Sequence, residues 1–210
     1  MTQIKICGLK TREALEVVSE SGIDYIGFVF AKSKRQITPE EVRKLTAELQ
    51  TPKRIGVFVN ETLDSLLSVG ESAGLDGFQL HGSESPELCR SLKEQSGKLV
   101  WKAWQVRLDP SDHQIQEYGE TVDAILLDSY DPGLPGGTGK TFPWQGIVRF
   151  RELVPNVPLF VAGGLSADNV ADLLAGYRPD GVDVSSGVET NGVKDADKMR
   201  LFIQKVRERD

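Results

Sequence analysis

The sequence predicts an α/β protein of the TIM-barrel class, a single (βα)8 barrel of eight parallel strands surrounded by helices. Three observations carry this. Eight short runs rich in Val, Ile, Leu and Phe alternate with helical patterns from one end to the other, repeating every ~20–30 residues as βα units do. Most runs are almost continuously apolar, as parallel strands are when helices cover one face and the inner faces pack together. The 210 residues suffice for one substantial core and fall near the short end of the range for closed barrels. An open doubly wound sheet is the alternative, and a count of eight favours closure. The chain 1–210 is read as one domain without linker or tail.

In chain order the strands are read at Ile4 to Cys7, Tyr25 to Phe30, Arg54 to Val59, Gly77 to His81, Leu99 to Val106, Ala124 to Ser129, Pro158 to Gly163 and Gly181 to Ser186. Helical patterns begin near Thr11, Thr38, Thr62, Ser85, Ser111, Pro143, Ser166 and Lys194. Thr38-Pro39-Glu40-Glu41 has a capping hydroxyl, a proline in the first helical position and a glutamate in the third, and Ser85-Pro86-Glu87 resembles it. Eight helices should therefore follow eight strands.

Composition removes several classes. Apolar residues are 39% and charged residues 27% of the chain, too balanced for disorder. The net charge of −6 is spread out, with no basic stripe to follow a nucleic-acid backbone. No stretch approaches the ~18 apolar residues of a membrane span, and the N-terminus enters a strand pattern without an apolar signal core. A cytoplasmic protein with two free thiols, Cys7 and Cys89, is expected. Monomer and homodimer are equally compatible with the pattern.

In parallel α/β folds the ligand site forms where strands end and loops begin. Here those ends collect small, polar and reactive residues. Gly163-Gly164 and Ser185-Ser186-Gly187 end successive strands, so their amides, free of bulky side chains, could hold a phosphate dianion with help from a helix dipole. One glycine turn alone would be unremarkable; two at neighbouring strand ends point to phosphate.

Cys7 ends the first strand, and Gly8 lets the chain turn without covering the thiol. Packing is the ordinary fate of a cysteine, and it is assigned to Cys89 inside the helical pattern PELCRSLKE. Asp128 closes the run Ile125-Leu126-Leu127. An unpaired carboxylate in a strand core is costly, so it must face the barrel mouth or a partner; capping the amides of the following glycine-rich loop is the structural alternative.

Arg35 is either a solvated surface charge, the ordinary fate of an arginine, or, from its place in the second βα loop, a clamp for a carboxylate with its planar fork. His81 is a weaker candidate for polarising the site. The segment Gly133 to Thr141 nearly spells a nucleotide-binding P-loop, but Leu134 stands where the first glycine is needed. It is read instead as a glycine-rich lid over the mouth. The residues by themselves indicate acid–base chemistry on a phosphorylated small molecule.

Taken together, KICGLK, GFVF with SKR, GVFVN, QLHG, LLDS, GGTGKTFPW, AGGL and DVSSGVE resemble the phosphoribosylanthranilate isomerase family. They occur in order and span nearly the whole chain. Each motif is modest, but the combination is highly specific. The resemblance implies an Amadori rearrangement in tryptophan biosynthesis that needs no metal or organic cofactor. It further implies Cys7 as general base, Asp128 as general acid and Arg35 as ligand of the anthranilate carboxylate. The loops at Gly163-Gly164 and Ser185-Ser186-Gly187 would hold the phosphate. That chemistry needs a raised pKa at Asp128 and a lowered one at Cys7, with Lys5 a source of positive potential if it shares the interior face of its strand. Two neighbouring phosphate-binding barrels, indole-3-glycerol phosphate synthase and the sugar isomerase of histidine biosynthesis, fit less well, because they rely on lysine and on paired aspartates.

Overall fold

A computed structural model describes residues 1–129 and 141–210. Eight parallel strands, β1 (Gln3–Cys7), β2 (Tyr25–Val29), β3 (Lys53–Phe58), β4 (Gly77–Leu80), β5 (Leu99–Val106), β6 (Ala124–Ser129), β7 (Leu159–Val161) and β8 (Gly181–Val184), pair in sequence order. β8 returns to pair with β1, Ile4 against Val182 and Ile6 against Val184, and this closes the barrel. Several strands stop one to two residues short of the expected ends, so Phe30, Val59, His81, Gly163 and Ser185 belong to the loops.

Two packed regions follow from the alternation of side chains along each strand. Outward-facing residues such as Ile4, Ile6, Ile26 and Phe28 meet the helices in the larger core. Inward-facing Tyr25, Ile55, Trp101, Leu126 and Phe160 fill the barrel. The Trp101 ring lies 4.4 Å from that of Phe160 and 4.7 Å from that of Tyr25, centroid to centroid. This aromatic layer closes the barrel below Lys5, whose ammonium stands 6.0 Å from the Trp101 ring centroid.

The early helices start where the caps place them. Helix α1 (Arg12–Glu20) follows Thr11, α2 (Pro39–Leu45) follows Thr38 with a full capping box to Glu41, α3 (Leu63–Ser72) follows Thr62, and α4 (Pro86–Ser96) follows Ser85. In each case the hydroxyl accepts an otherwise unpaired amide of the first turn. At Ser85 no reciprocal bond forms, because Leu88 occupies the position of the glutamate.

The second half departs from the sequence reading. The element after β5 is a 3₁₀ helix, Pro110–Tyr118, whose buried residues Asp112, Ile115 and Tyr118 recur every third position. That spacing matches three residues per turn, not 3.6. Helix α5 (Gly146–Leu153) begins three residues beyond Pro143. Helix α6 (Val170–Tyr177) begins four beyond Ser166, because Asn169 folds back to accept the Ser166 amide and to donate to the Gly164 carbonyl.

Lys194 does not start a helix. It lies in β10 (Val193–Lys194), paired with β9 (Glu189–Thr190) in a small hairpin, and α7 (Ala196–Arg207) follows, capped by Asp195. The described residues thus hold seven α-helices and two 3₁₀ helices, Pro110–Tyr118 and the short Ser186–Val188, in place of the eight helices expected. The expected lid, apart from Thr141, lies outside the described residues. Among the described residues no helix is long and apolar enough to cross a membrane.

Candidate active site

A cavity of about 530 Å3 opens at the C-terminal ends of the strands. Its wall includes Cys7, Arg35, His81, Asp128, Gly163, Gly164, Ser185 and Ser186, which brings together all but one of the residues singled out in the sequence. Gly187 is the exception and does not line it. Its place is against loop 7, where a Cβ would run into the Leu165 carbonyl, so Gly187 lets the loops after β7 and β8 close on each other. A second cavity of about 580 Å3 shares Val59 and His81 but reaches neither Cys7 nor Asp128.

Cys7 is held on the interior face by its register with Gly27, which leaves room for the sulfur: a Cβ on Gly27 would stand 2.6 Å from Sγ. Lys5, two residues earlier on the same face, is fully buried, and its Nζ donates to Asp183 Oδ2 at 2.9 Å. Burial works to neutralise Lys5, but the charges of Asp183 and Cys7 outweigh it and raise its pKa, so the ammonium stays charged. Burial also raises the pKa of Asp183, with Lys5 opposing.

The thiol does not meet the expectation of a lowered pKa. Burial pushes Cys7 up, and the fields of Lys5 and Lys194 reduce that rise without reversing it. Desolvation of the buried thiolate is larger here than attraction to two cations that are already paired with carboxylates. Cys89, at the helix–barrel interface as expected, is pushed up to about 12 by burial alone in the main.

Asp128 projects into the cavity from β6. Its Oδ1 accepts the Ser129 amide at 2.8 Å, and Oδ2 lies 3.3 Å from His81 Nε2. Gly163 makes this possible, since a Cβ there would stand 2.7 Å from Asp128 Oδ1, and its φ of +79° suits glycine. His81 Nδ1 is 3.0 Å from Gln79 Nε2. His81 Nε2, on the far side of the ring, is buried and has no hydrogen-bond partner among the described residues.

Beside Asp128, Gly163 and Gly164 both have positive φ, 79° and 62°, and Ser186 begins a three-residue 3₁₀ turn, Ser186–Val188. Among the described residues the amides of Gly164 and Ser186 have no carbonyl partner. Loop amides, with hardly any helix dipole behind them, are what this corner offers an anion. Arg35, from the loop after β2, also lines the cavity, its Nε and Nη2 donating to Glu189 at 2.7 and 2.9 Å. Among the described residues no His, Cys, Asp and Glu side chains cluster as a metal site requires.

Residues 4–205 match the family model for N-(5′-phosphoribosyl)anthranilate (PRA) isomerase. The chain belongs to the PRA isomerase family. It is 43% identical over 209 residues to the N-(5′-phosphoribosyl)anthranilate isomerase of Brevibacillus brevis, covering 99% of this chain and 94% of that relative. The crystal structure of the Thermotoga maritima isomerase is 40% identical, with a TM-score of 0.88 over 99% of this chain and 100% of that one. A PRA isomerase solved in complex with reduced 1-(o-carboxyphenylamino)-1-deoxyribulose 5-phosphate is 38% identical, with a TM-score of 0.85 over 99% of this chain and 100% of that one.

Within this PRA isomerase fold the sequence reading missed several residues at the site. Asp183 interrupts the apolar run GVDV as Asp128 interrupts its own, and the same burial argument would have found it. Gln79 could have been read from its period-two relation to His81. Glu189 and Lys194 carried no such signal, because their roles depend on the hairpin β9–β10 folding back over Ser185.

Proposed function

We propose that this chain catalyses the isomerisation of N-(5′-phosphoribosyl)anthranilate to 1-(o-carboxyphenylamino)-1-deoxyribulose 5-phosphate in tryptophan biosynthesis. The observation that carries the reading is the placement of a carboxyl group and a thiol, Asp128 and Cys7, in one cavity that Arg35, Gly164 and Ser186 also line. This arrangement suits a substrate with a carboxylate at one end and a phosphate at the other, reacting in between.

Asp128, as the carboxylic acid, protonates the furanose ring oxygen. The bond from that oxygen to C1′ breaks, and the amine lone pair closes an iminium at C1′. Cys7, as thiolate, takes the proton from C2′, and the electron pair neutralises the iminium to give an enolamine. The enolamine gains a proton at C1′ and loses the one on its C2′ hydroxyl, which yields the ketose.

Burial disfavours the working thiolate. Lys5 and Lys194 offset part of that cost before reaction, and the iminium formed in the first step adds a third positive charge beside the sulfur. The amides of Gly164 and Ser186 hold the phosphate, and Arg35 holds the anthranilate carboxylate. His81 Nε2 lies 3.3 Å from Asp128 Oδ2, within reach of the acid but not hydrogen-bonded to it among the described residues. The protein acts in the cytoplasm on this small phosphorylated substrate.

Loss of the fluorescence of N-(5′-phosphoribosyl)anthranilate on mixing with the purified protein tests the proposal. Catalysed loss with formation of the ketose is the expected result. Binding of the compound without turnover would overturn the isomerase reading in favour of a non-catalytic phosphometabolite-binding barrel.

A further inference from the structure

Arg35 is held in place from two sides. Its stem passes over Gly8, where a Cβ would come within 2.6 Å of Cδ, and Gly8 has a φ of +83°. Its head is fixed by Glu189, which accepts from Nε at 2.7 Å and from Nη2 at 2.9 Å. The same carboxylate accepts from Lys194 Nζ at 2.6 Å. The side chain of Lys194 is almost wholly covered and also donates to the Ser185 carbonyl at 2.9 Å and to its hydroxyl at 3.3 Å. Ser185 Oγ in turn donates to the Cys7 carbonyl at 3.0 Å. Glu189 therefore ties together the mouths of three neighbouring strands, β8, β1 and β2.

A guanidinium has two edges that can each engage a carboxylate. Glu189 occupies the Nε/Nη2 edge. Nη1 has no partner among the described residues, and Arg35 lines the cavity. The group of Arg35, Lys194 and Glu189 carries one net positive charge, which matches a single carboxylate.

We infer that Glu189 is a positioning residue that locks Arg35 with its Nη1/Nη2 edge toward the cavity, and so sets selectivity for substrates bearing an aryl carboxylate. This rests on the role proposed for Arg35. Without the lock, a long side chain on an irregular loop must be ordered by the substrate itself, and that cost reduces affinity. Glu189 is suited to remain in place when a second carboxylate arrives, because Lys194 holds it independently. Its own pKa is depressed: burial works to raise it, and the bonds from Arg35 and Lys194 prevail.

Two ligands separate the inference from the reading beneath it: reduced 1-(o-carboxyphenylamino)-1-deoxyribulose 5-phosphate and its analogue with hydrogen in place of the carboxylate. Calorimetric Kd values for both are compared in wild type, Arg35→Ala and Glu189→Gln. The wild type should prefer the carboxylated ligand, and Arg35→Ala should remove the preference. Glu189→Gln should weaken the carboxylated ligand at least about tenfold while the other changes less than about twofold. In turnover, KM should rise with little change in kcat.

A purely electrostatic effect has the opposite sign, because removing a negative charge beside Arg35 would tighten the anion. Glu189→Asp retains the charge but is one methylene too short to hold the fork, and it too should lose selectivity. If Arg35→Ala leaves the preference intact, the Arg35 role and the inference fall together. If Arg35→Ala removes the preference but either folded Glu189 variant keeps or strengthens it, only the inference falls.

Discussion

Gly27→Ala tests the position of Cys7 without touching its chemistry. The added methyl would sit 2.6 Å from Cys7 Sγ and 3.0 Å from Cys7 Cα and Cβ, whereas ordinary contact begins at 3.4 Å. The sulfur must retreat by about 0.8 Å, the difference between 3.4 and 2.6 Å, because the backbone has little freedom to move: the Gly27 carbonyl accepts the amides of both Gly8 and Leu9. A displacement near 1 Å in a reacting pair costs ~10²-fold in rate, about 2.7 kcal/mol of transition-state stabilisation. Stopped-flow fluorescence of N-(5′-phosphoribosyl)anthranilate should therefore show kcat reduced roughly a hundredfold. The Kd of the reduced product analogue should change less than about threefold, since Arg35 and the amide corner are untouched. A variant with a wild-type melting curve and kcat within about threefold of normal would refute the argument that Sγ must stand where it does.

Replacing the reacting groups should be more severe. Cys7→Ser and Asp128→Asn should each lower kcat by at least the ~10²–10⁴ typical of a positioned base or acid, with a smaller effect on binding; a Cys7→Ser enzyme retaining more than about a tenth of wild-type turnover would return Cys7 to a packing role. Because burial raises the Cys7 pKa, alkylation by iodoacetamide should be slow at neutral pH and accelerate only above the ordinary thiol range; Lys5→Met removes an opposing charge and should move the rise to still higher pH. A rate already at its plateau near pH ~7 would contradict this direction. Inorganic phosphate should compete with substrate, and Gly164→Asp should abolish capture by adding a negative charge at a backbone φ of +62°. A sulfate-soaked crystal without an anion near Gly164 and Ser186 would remove the phosphate assignment.

Much of this was legible in the chain. The apolar runs, the hydroxyl caps at Thr11, Thr38, Thr62 and Ser85, and the polar residues at strand ends are local signals, and each was read from a few adjacent residues. Closure into a barrel follows from the number and type of the units, and places strand ends at one mouth whatever the loops do. Thus strand position alone brings Cys7, Arg35, His81, Asp128, Gly163, Gly164, Ser185 and Ser186 to one cavity. Element starts in the second half could not be read in this way, because they depend on contacts such as the Asn169 amide turning back to Ser166.

Only the tertiary structure decided the electrostatics. That Lys5 faces Cys7 is permitted by the period of two, but that its charge is shared with Asp183, 178 residues away, depends on β8 closing against β1. The balance at the thiol is likewise a property of the closed barrel: burial contributes more than either cation, so the Cys7 pKa rises where a count of neighbouring charges suggests a fall. Arg35 was readable as an anion ligand from its loop, yet its orientation comes from Glu189, 154 residues later. Residue type and strand position determine which groups reach the mouth; burial and long-range pairing, which exist only in the folded chain, determine their protonation and direction.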